Sequence, residues 1–255
     1  MVKPRPDSVM VRFLLNSKYL EAFGKRVIRT YQSTTQEGMK FRFHTSDGGE
    51  RYLVREILDT HIYERFPVPK RGAIVDVGAN IGVFTVIASR LVGEGGLVIA
   101  VEPTPSSFRL LKKNLSLNGC MNAKAVMTAL GEKESSRKLN IYKTSLLNSF
   151  LTWNKADQIV NRSIAVQMKT LDSLMTELGL ERLDLLKLDT EGYELPILRG
   201  GTETIRRFKP YIVGEAHPTI SDCGSKIGDF LSGMGYKCEV EPRADDAEMF
   251  YAEPK

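Results

Sequence analysis

The chain has 255 residues, of which 42% are hydrophobic, which suffices for one large α/β domain or for such a domain with a small extension. No apolar run reaches the roughly 20 residues of a membrane-spanning helix, and residues 1–10 lack the apolar centre of a signal peptide. We therefore expect a cytoplasmic protein without membrane spans. The net charge of +5 comes from scattered basic residues, which permit only a weak attraction to nucleic acid, and the three cysteines lack metal-binding spacing.

Residues 1–70 are predicted to form a small N-terminal α+β extension. Residues 8–23 have the apolar spacing of a helix, and RVIRTYQS and MKFRFHTS alternate as strands do. The run ERYLVREILDTHIYERF is typical of a second helix, which Pro67 and Pro69 would stop. The same two prolines indicate the boundary of the extension.

Residues 71–255 alternate strand-like and helical patterns. The predicted strands are AIVDV, LVIAVE, AKAVMTAL, residues 163–169, LDLLKLD, PYIVGEAH and two in the final GYKCEVEPRADDAEMFYAE. The predicted helices begin at Ile81, at Pro105 and after the capping residue Thr170, run through ELPILRGGTETIRRF, and end near Gly233. A polar segment follows AKAVMTAL. This order predicts an α/β domain, a doubly wound and mostly parallel sheet with helices on both faces.

The stretch IVDVGANIGVF, residues 74–84, is typical of a buried strand that runs through a glycine turn into a helix. Such a turn presents backbone N–H groups and the positive end of the helix at the carboxyl edge of the sheet, where nucleotide-like ligands bind. A dinucleotide fingerprint GxGxxG would have glycine where Asn80 stands, and no phosphate-loop GK[ST] follows. The turn is therefore predicted to hold a ligand with an adenosine and a charged amino acid but no phosphates.

An acidic residue ends the second strand of this domain. Glu102 closes LVIAVE about 20 residues after Gly82, where a carboxylate can accept both hydroxyls of a ribose. Plain strand-to-helix geometry would explain the glycine turn or the acid taken singly. The order strand, turn, helix, strand and acid favours a nucleoside site.

These segments resemble the FkbM-type methyltransferases, which use S-adenosylmethionine. The matching runs are VDVGANIGVFTVIASR, VIAVEPTPSSFRLLKKNLSLNG and the stretch from TLDSLM to GEAH, and KLDTEGYE followed by LRG is the most specific of them. The resemblance implies a class I, Rossmann-like methyltransferase fold with a seven-stranded sheet whose last strand is antiparallel. It also implies S-adenosyl-L-methionine as cofactor and transfer usually to a hydroxyl oxygen.

The resemblance also assigns cofactor-binding residues in this chain. The assigned residues are Asp76, Gly78, Ala79, Asn80 and Gly82 in the turn, Glu102 at the ribose, and Thr104 and Ala129 beside the adenine. Tyr63 and Glu64 match residues before the first strand, where they would cover the methionine end or pack between helices.

The run LDTEGYE brings carboxylates to the end of a predicted buried strand. Methyl transfer to oxygen requires a positioned acceptor and removal of its proton. Asp189 is predicted to be the base or the acceptor-orienting group. Glu191 is predicted to have a positioning role, and His217 to be the alternative base. Asp189 and Glu191 would otherwise cap the next helix, and His217 would be a loop histidine. The three side chains could gather a divalent cation, but the spacing requires no metal.

The acceptor itself stays open between sugars, polyketide hydroxyls, lipids and RNA. We expect a small-molecule, glycan or lipid hydroxyl, with an RNA methyltransferase as the alternative. Against RNA, DTEG stands where adenine N-methyltransferases carry [DN]PP[YF], and no cysteine follows a proline as cytosine-C5 chemistry requires. A non-catalytic adaptor is a further alternative. Trp153, in the insert LLNSFLTWNKADQIVNRS, would anchor a lid or simply pack.

Overall fold

A computed structural model describes residues 29–34, 40–46, 48–63, 65–152, 160–217, 224–243 and 247–255. The predicted helix over 8–23, Glu64 and Trp153 lie outside these residues. The first described elements are strands β1 (Arg29–Thr34) and β2 (Lys40–Thr45), which pair antiparallel, and helix α1 (Gly48–Thr60). Both predicted strands are confirmed. The predicted end of α1 near Phe66 is wrong, because His61 adopts a left-handed φ of 52° and ends the helix at Thr60.

The remaining elements follow in chain order. The strands are β3 (Ala73–Val77), β4 (Leu97–Val101), β5 (Ala123–Val126), β6 (Ala129–Leu130), β7 (Ser135–Ile141), β8 (Arg162–Lys169), β9 (Leu185–Leu188), β10 (Tyr211–Ala216), β11 (Tyr236–Pro242) and β12 (Glu248–Pro254). The helices are α2 (Val83–Val92), α3 (Pro105–Leu117), α4 (Leu171–Glu177), α5 (Glu194–Arg199), α6 (Thr202–Phe208) and α7 (Gly224–Gly233).

Seven strands form the central sheet in the order β11-β12-β10-β9-β3-β4-β5. The strands β10, β9, β3, β4 and β5 pair in parallel, whereas β12 runs antiparallel to both β10 and β11. The predicted fold class is therefore confirmed, including the antiparallel direction of the last strand. None of the described helices is long and apolar enough to cross a membrane. The domain boundary at residue 71 and the cytoplasmic location stay predictions.

Burial on both faces explains why the central strands are continuously apolar. Successive side chains of a strand point to opposite faces, so Ile74 packs with α1, α2 and α3 while Val75 packs with the side of α4 to α7. β9, with the sequence LLKL, is buried at all four positions although one of them is a lysine. Such strands are typical of a parallel sheet covered by helices on both sides.

A second sheet of three strands, β6-β8-β7, corrects two sequence predictions. The run AKAVMTAL was predicted as one strand, but it divides at Met127 and Thr128: β5 joins the central sheet and β6 pairs with β8. The polar segment after it is strand β7, paired antiparallel with β8 along its whole length. The first four residues of β7 are exposed. Its strand conformation therefore depends on pairing with a distant segment, which the local pattern does not reveal.

The single helix predicted through ELPILRGGTETIRRF is two helices, α5 and α6, separated by Gly200 and Gly201. The break is a packing requirement. A Cβ on Gly200 would lie 2.0 Å from the carbonyl oxygen of Gly131, and one on Gly201 would lie 2.6 Å from Cδ2 of Leu171. The predicted cap of α4 is confirmed, since the Thr170 hydroxyl accepts from the Ser173 backbone N–H at 3.0 Å.

The parallel strands end together at one edge of the central sheet. Gly78 follows β3, Glu102 follows β4, Asp189 follows β9 and His217 follows β10. Neighbouring parallel strands in register bring these residues side by side. The carboxyl edge therefore collects the residues that the sequence singled out.

We predict opposite effects of alanine at two glycines, Gly200 between α5 and α6 and Gly228 within α7. Gly200→Ala is expected to lower the free energy of unfolding by about 1–3 kcal/mol, because the new methyl group meets a backbone carbonyl that cannot move aside. The control Gly228→Ala, in α7, is expected to raise it by about 0.5–1 kcal/mol, because nothing lies within 4 Å of the new Cβ and alanine favours the helix. Urea unfolding of both variants checks the pair, and a neutral Gly200→Ala would contradict the packing explanation.

Candidate active site

The glycine turn after β3 lies directly against the end of β9. Gly78 has a φ of 76° and Asn80 a φ of 48°, both left-handed. A Cβ on Gly78 would lie 1.8 Å from the carbonyl oxygen of Asp189. The backbone N–H groups of Gly78 and Ala79 both donate to the Val101 carbonyl at 3.0 Å, which pins the turn to β4. Only glycine allows this close approach of the turn to the end of β9.

Glu102 holds the other side of the turn. Its Oε2 accepts from the backbone N–H of Asn80 at 2.9 Å, and its Oε1 accepts from that of Thr104 at 2.8 Å. Burial raises the pKa of this carboxyl, and the two backbone donors oppose the rise. A carboxylate has about four lone-pair sites, so after these two backbone contacts and a contact with the Thr104 side chain Glu102 keeps capacity for a further hydroxyl donor. The position therefore fits the predicted contact with a ribose.

Asp76 and Gly82 lie behind the turn. The Thr85 hydroxyl donates to Asp76 Oδ2 at 2.5 Å, and the Lys187 ammonium lies 3.2 Å from Asp76 Oδ1. A Cβ on Gly82 would lie 2.5 Å from Cδ1 of Leu111 in α3. In this structure both residues serve the packing of the turn, and their predicted contact with a cofactor stays a prediction.

Asp189 joins a buried network at the end of β9. Its Oδ2 accepts from the Tyr63 hydroxyl at 2.9 Å and lies 3.6 Å from the Lys187 ammonium. Burial tends to raise the pKa of Asp189, but Lys187, and after it His217, lower it below its usual value. Burial and the neighbouring Asp189 carboxylate raise the pKa of Tyr63 well above 10.0. Asp189 is thus an anion that accepts hydrogen bonds, and a low pKa makes it a weak base.

A second cluster of charged and titratable side chains lies at the end of β10. His217 Nε2 is 3.4 Å from Glu191 Oε2 and 3.6 Å from Glu215 Oε1. Arg243, which follows β11, contacts Glu215 Oε2 at 3.1 Å and Glu56 Oε1 of α1 at 2.5 Å. The structure therefore brings together all three predicted catalytic residues on one side of the cleft.

Sequence reasoning missed Glu215, Arg243 and Glu56. Glu215 lies two residues before His217, so both side chains point to the same side of the strand end, and that spacing could have identified it. Arg243 and Glu56 are 187 residues apart and meet only through the fold, so neither gives a local signal.

The segment after β7 covers the cleft. The Ser149 hydroxyl donates to the Glu191 carbonyl at 2.7 Å, and Asn148 Nδ2 lies 3.5 Å from the Thr104 hydroxyl. Phe150 packs on Tyr193 with a ring-centroid distance of 4.9 Å. The residues that line the cleft include an apolar set, namely Ala129, Leu130, Leu139, Leu146, Leu147 and Phe150.

These parts fit the predicted cofactor. Along the sheet edge the cleft offers a glycine turn, a carboxylate with hydroxyl-accepting capacity, and an apolar set of residues that would take a flat base. S-adenosylmethionine combines an amino acid, a ribose and an adenine without phosphates. Among the described residues, no group of three or more histidine, cysteine or acidic side chains is arranged to hold a metal ion.

The sequence model described as "Methyltransferase FkbM domain" matches residues 76–238. The chain belongs to the FkbM methyltransferase family. The matched region begins at Asp76 in β3 and ends in β11, so it contains Gly78, Glu102, Asp189 and His217.

Individual relatives agree with this assignment. The chain is 28% identical over 180 residues to methyltransferase sdnD of Sordaria araneosa, covering 60% of this chain and 69% of that protein. It is 25% identical over 226 residues to the 31-O-demethyl-FK506 methyltransferase FkbM of Streptomyces tacrolimicus, covering 78% and 86%. This chain thus spans about two thirds of the length of the first relative.

A solved structure shares the fold. The fibrillarin pre-rRNA processing protein of Methanococcus jannaschii superposes with a TM-score of 0.51 at 14% identity, covering 91% of this chain and 86% of that one. The predictions of the family, of a methyltransferase and of S-adenosylmethionine as cofactor are confirmed. The roles of the individual site residues stay predictions.

Breaking the contacts of Arg243 should loosen α1 from the sheet. We expect Arg243→Met to lower the free energy of unfolding by about 1.5–3 kcal/mol, because it leaves two half-buried carboxylates without their charged donor. The control Arg206→Met breaks an exposed pair with Glu203 and should cost about 0–1 kcal/mol. Chemical unfolding provides the comparison, and equal effects of the two substitutions would contradict a specific role of Arg243.

Proposed function

We propose that the protein transfers the methyl group of S-adenosylmethionine to a hydroxyl oxygen of a small-molecule, glycan or lipid acceptor. The observation that carries this proposal is the convergence of Asp189, Glu191 and His217 beside the Gly78 turn. The cofactor supplies an electrophilic methyl group on a sulfonium. The bond from sulfur to the methyl carbon breaks as the bond to oxygen forms, and the hydroxyl proton passes to a base.

Asp189 is proposed to orient the acceptor hydroxyl, and His217 is proposed to remove its proton. An acid whose pKa is held low accepts a hydrogen bond from the acceptor hydroxyl but takes its proton poorly. His217 lies close to two carboxylates, Glu191 and Glu215, which can stabilise the imidazolium that forms when it accepts the proton. The sequence left open which of these two residues is the base. The proposal makes Asp189 the orienting group and His217 the base.

The charge of the cleft supports a small acceptor over RNA. Among the described residues that line it, five are carboxylates, Glu56, Glu102, Asp189, Glu191 and Glu215, and two are cations, Lys187 and Arg243. Both cations lie within ion-pair distance of carboxylates. A phosphate backbone is bound by clustered lysines and arginines, so this cleft suits an acceptor that carries hydrogen-bond donors.

We predict that Glu102→Ala weakens the binding of S-adenosylmethionine by about 1.5–3 kcal/mol, because a charged acceptor of the ribose hydroxyls is lost. Titration calorimetry measures the affinity directly. Glu134→Ala, at an exposed position of the same residue type, is the control and should bind like the wild type. Unchanged affinity of Glu102→Ala, or a wild-type preference for NAD, would refute this cofactor site.

We predict that His217→Gln lowers turnover by about 10²-fold to 10⁴-fold, the range for a positioned base, because glutamine cannot take the hydroxyl proton. Asp189→Asn should lower turnover by about 10²-fold through misplacement of the acceptor. Formation of demethylated cofactor with a panel of sugars, macrolide alcohols, lipids and bulk tRNA is the assay.

Two outcomes would change this assignment. Full activity in His217→Gln, with turnover lost only in Asp189→Asn, would make Asp189 the base. Full activity in Asp189→Asn would refute its orienting role; the capping role considered from the sequence is wrong, because the next helix, α5, begins at Glu194 with Tyr193 at its N-cap and has no side-chain cap. Methyl transfer confined to tRNA would reverse the order of the two acceptor classes.

A further inference from the structure

Lys187 is a charged residue in the interior of the central sheet. It belongs to β9, between β3 and β10, and its side chain is 3% exposed. Its main acidic partner, Asp76, is fully buried. A buried ion pair contributes little net stability compared with apolar residues of similar volume. Stability alone therefore gives no reason for a lysine at this position.

The ammonium of Lys187 contacts three parts of the site at once. It lies 3.2 Å from Asp76 Oδ1 in β3 and 3.6 Å from Asp189 Oδ2, and it donates to the Gly78 carbonyl at 3.1 Å. It also lies 5.1 Å from the ring centroid of Tyr63, whose hydroxyl donates to Asp189. One cation thus touches the cofactor turn and the carboxylate at the acceptor side.

We propose that Lys187 is a positioning residue of the methyl-transfer centre, which fixes the Gly78 carbonyl relative to Asp189 and keeps Asp189 ionised. The inference rests on the proposed function, because it concerns how Asp189 faces the cationic cofactor. An ionised Asp189 attracts the sulfonium and accepts a strong hydrogen bond from the acceptor hydroxyl, whereas a protonated Asp189 has no charge to attract the sulfonium and is a weaker acceptor.

The groups around Asp189 support this role. Lys187 comes from its own strand, Tyr63 from the segment after α1, His217 from the end of β10, and Arg243 from the segment after β11. Burial alone would raise the pKa of Asp189, and Lys187 is the largest of the influences that lower it. The effect is mutual. Burial acts to lower the pKa of Lys187, but Asp76 and Asp189 raise it.

A simpler role for Lys187 would be to neutralise Asp76 alone. Charge-matched variants separate the two roles. Asp76→Asn combined with Lys187→Met removes one negative and one positive charge, so the net charge of the buried network stays the same. In this double variant Asp189 loses its cation while Asp76 no longer needs one.

The measurement is the affinity for S-adenosylmethionine as a function of pH, by calorimetry. The readout is the ratio of the dissociation constants of variant and wild type, in which pH effects common to both proteins cancel. We expect this ratio to rise about tenfold as the pH is lowered from about 7.5 to 5.5, because loss of Lys187 removes the largest influence that lowers the pKa of the buried Asp189 and so favours its protonated form. The single variant Asp76→Asn keeps both Lys187 and Asp189, and its ratio should stay constant.

A constant ratio in the double variant would overturn the proposal and leave Lys187 as the partner of Asp76 only. Asp76→Asn with Lys187→Gln is the second double variant. Its amide can still donate to the Gly78 carbonyl, so it provides the same test if the methionine variant does not fold. Failure of the wild type to bind S-adenosylmethionine would instead refute the proposed function, so the two failures are distinguishable.

Discussion

The close approach of two backbones at the carboxyl edge of the sheet is the constraint on which the site depends. The Gly78 turn lies so close to the Asp189 carbonyl that a single Cβ would fill the space between them. This contact brings the end of β3 against the end of β9, which under the proposed function are the cofactor side and the acceptor side. In-line methyl transfer needs these two sides within reach of each other. Any residue with a side chain at position 78 would hold these two sides apart.

The continuous burial of the parallel strands explains which parts of the fold were predictable. Runs such as AIVDV and LVIAV are apolar enough to predict buried strands, and Gly78 and Gly82 after the first of them mark positions of left-handed backbone. The turn, Glu102 and Asp189 were predictable for that reason. The exposed β7, the division of AKAVMTAL and the break at Gly200 depend on partners far away in the chain. No local pattern contains that information.

The same distinction applies within the site. Asp189 and His217 could be predicted because each ends a buried strand, and such ends meet at one edge. Their chemical difference could not, because it comes from Lys187 on one and from Glu191 and Glu215 on the other. The sequence shows the residue types, whereas the distances between their side chains decide which of the two residues suits the orienting role and which suits the base role.

The site contains two clusters of charged side chains, and these clusters take their residues from different parts of the chain. Lys187, Asp76 and Asp189 all belong to the strands that carry the family resemblance, so this group accompanies the cofactor. The group around His217 draws Glu56 from α1 and Arg243 from the final hairpin. Glu56 lies before residue 76, where the family match begins, and Arg243 lies after residue 238, where it ends. Under the proposed function, the acceptor side would thus be completed by two residues that lie outside the family match, whereas the residues around Lys187 lie within it.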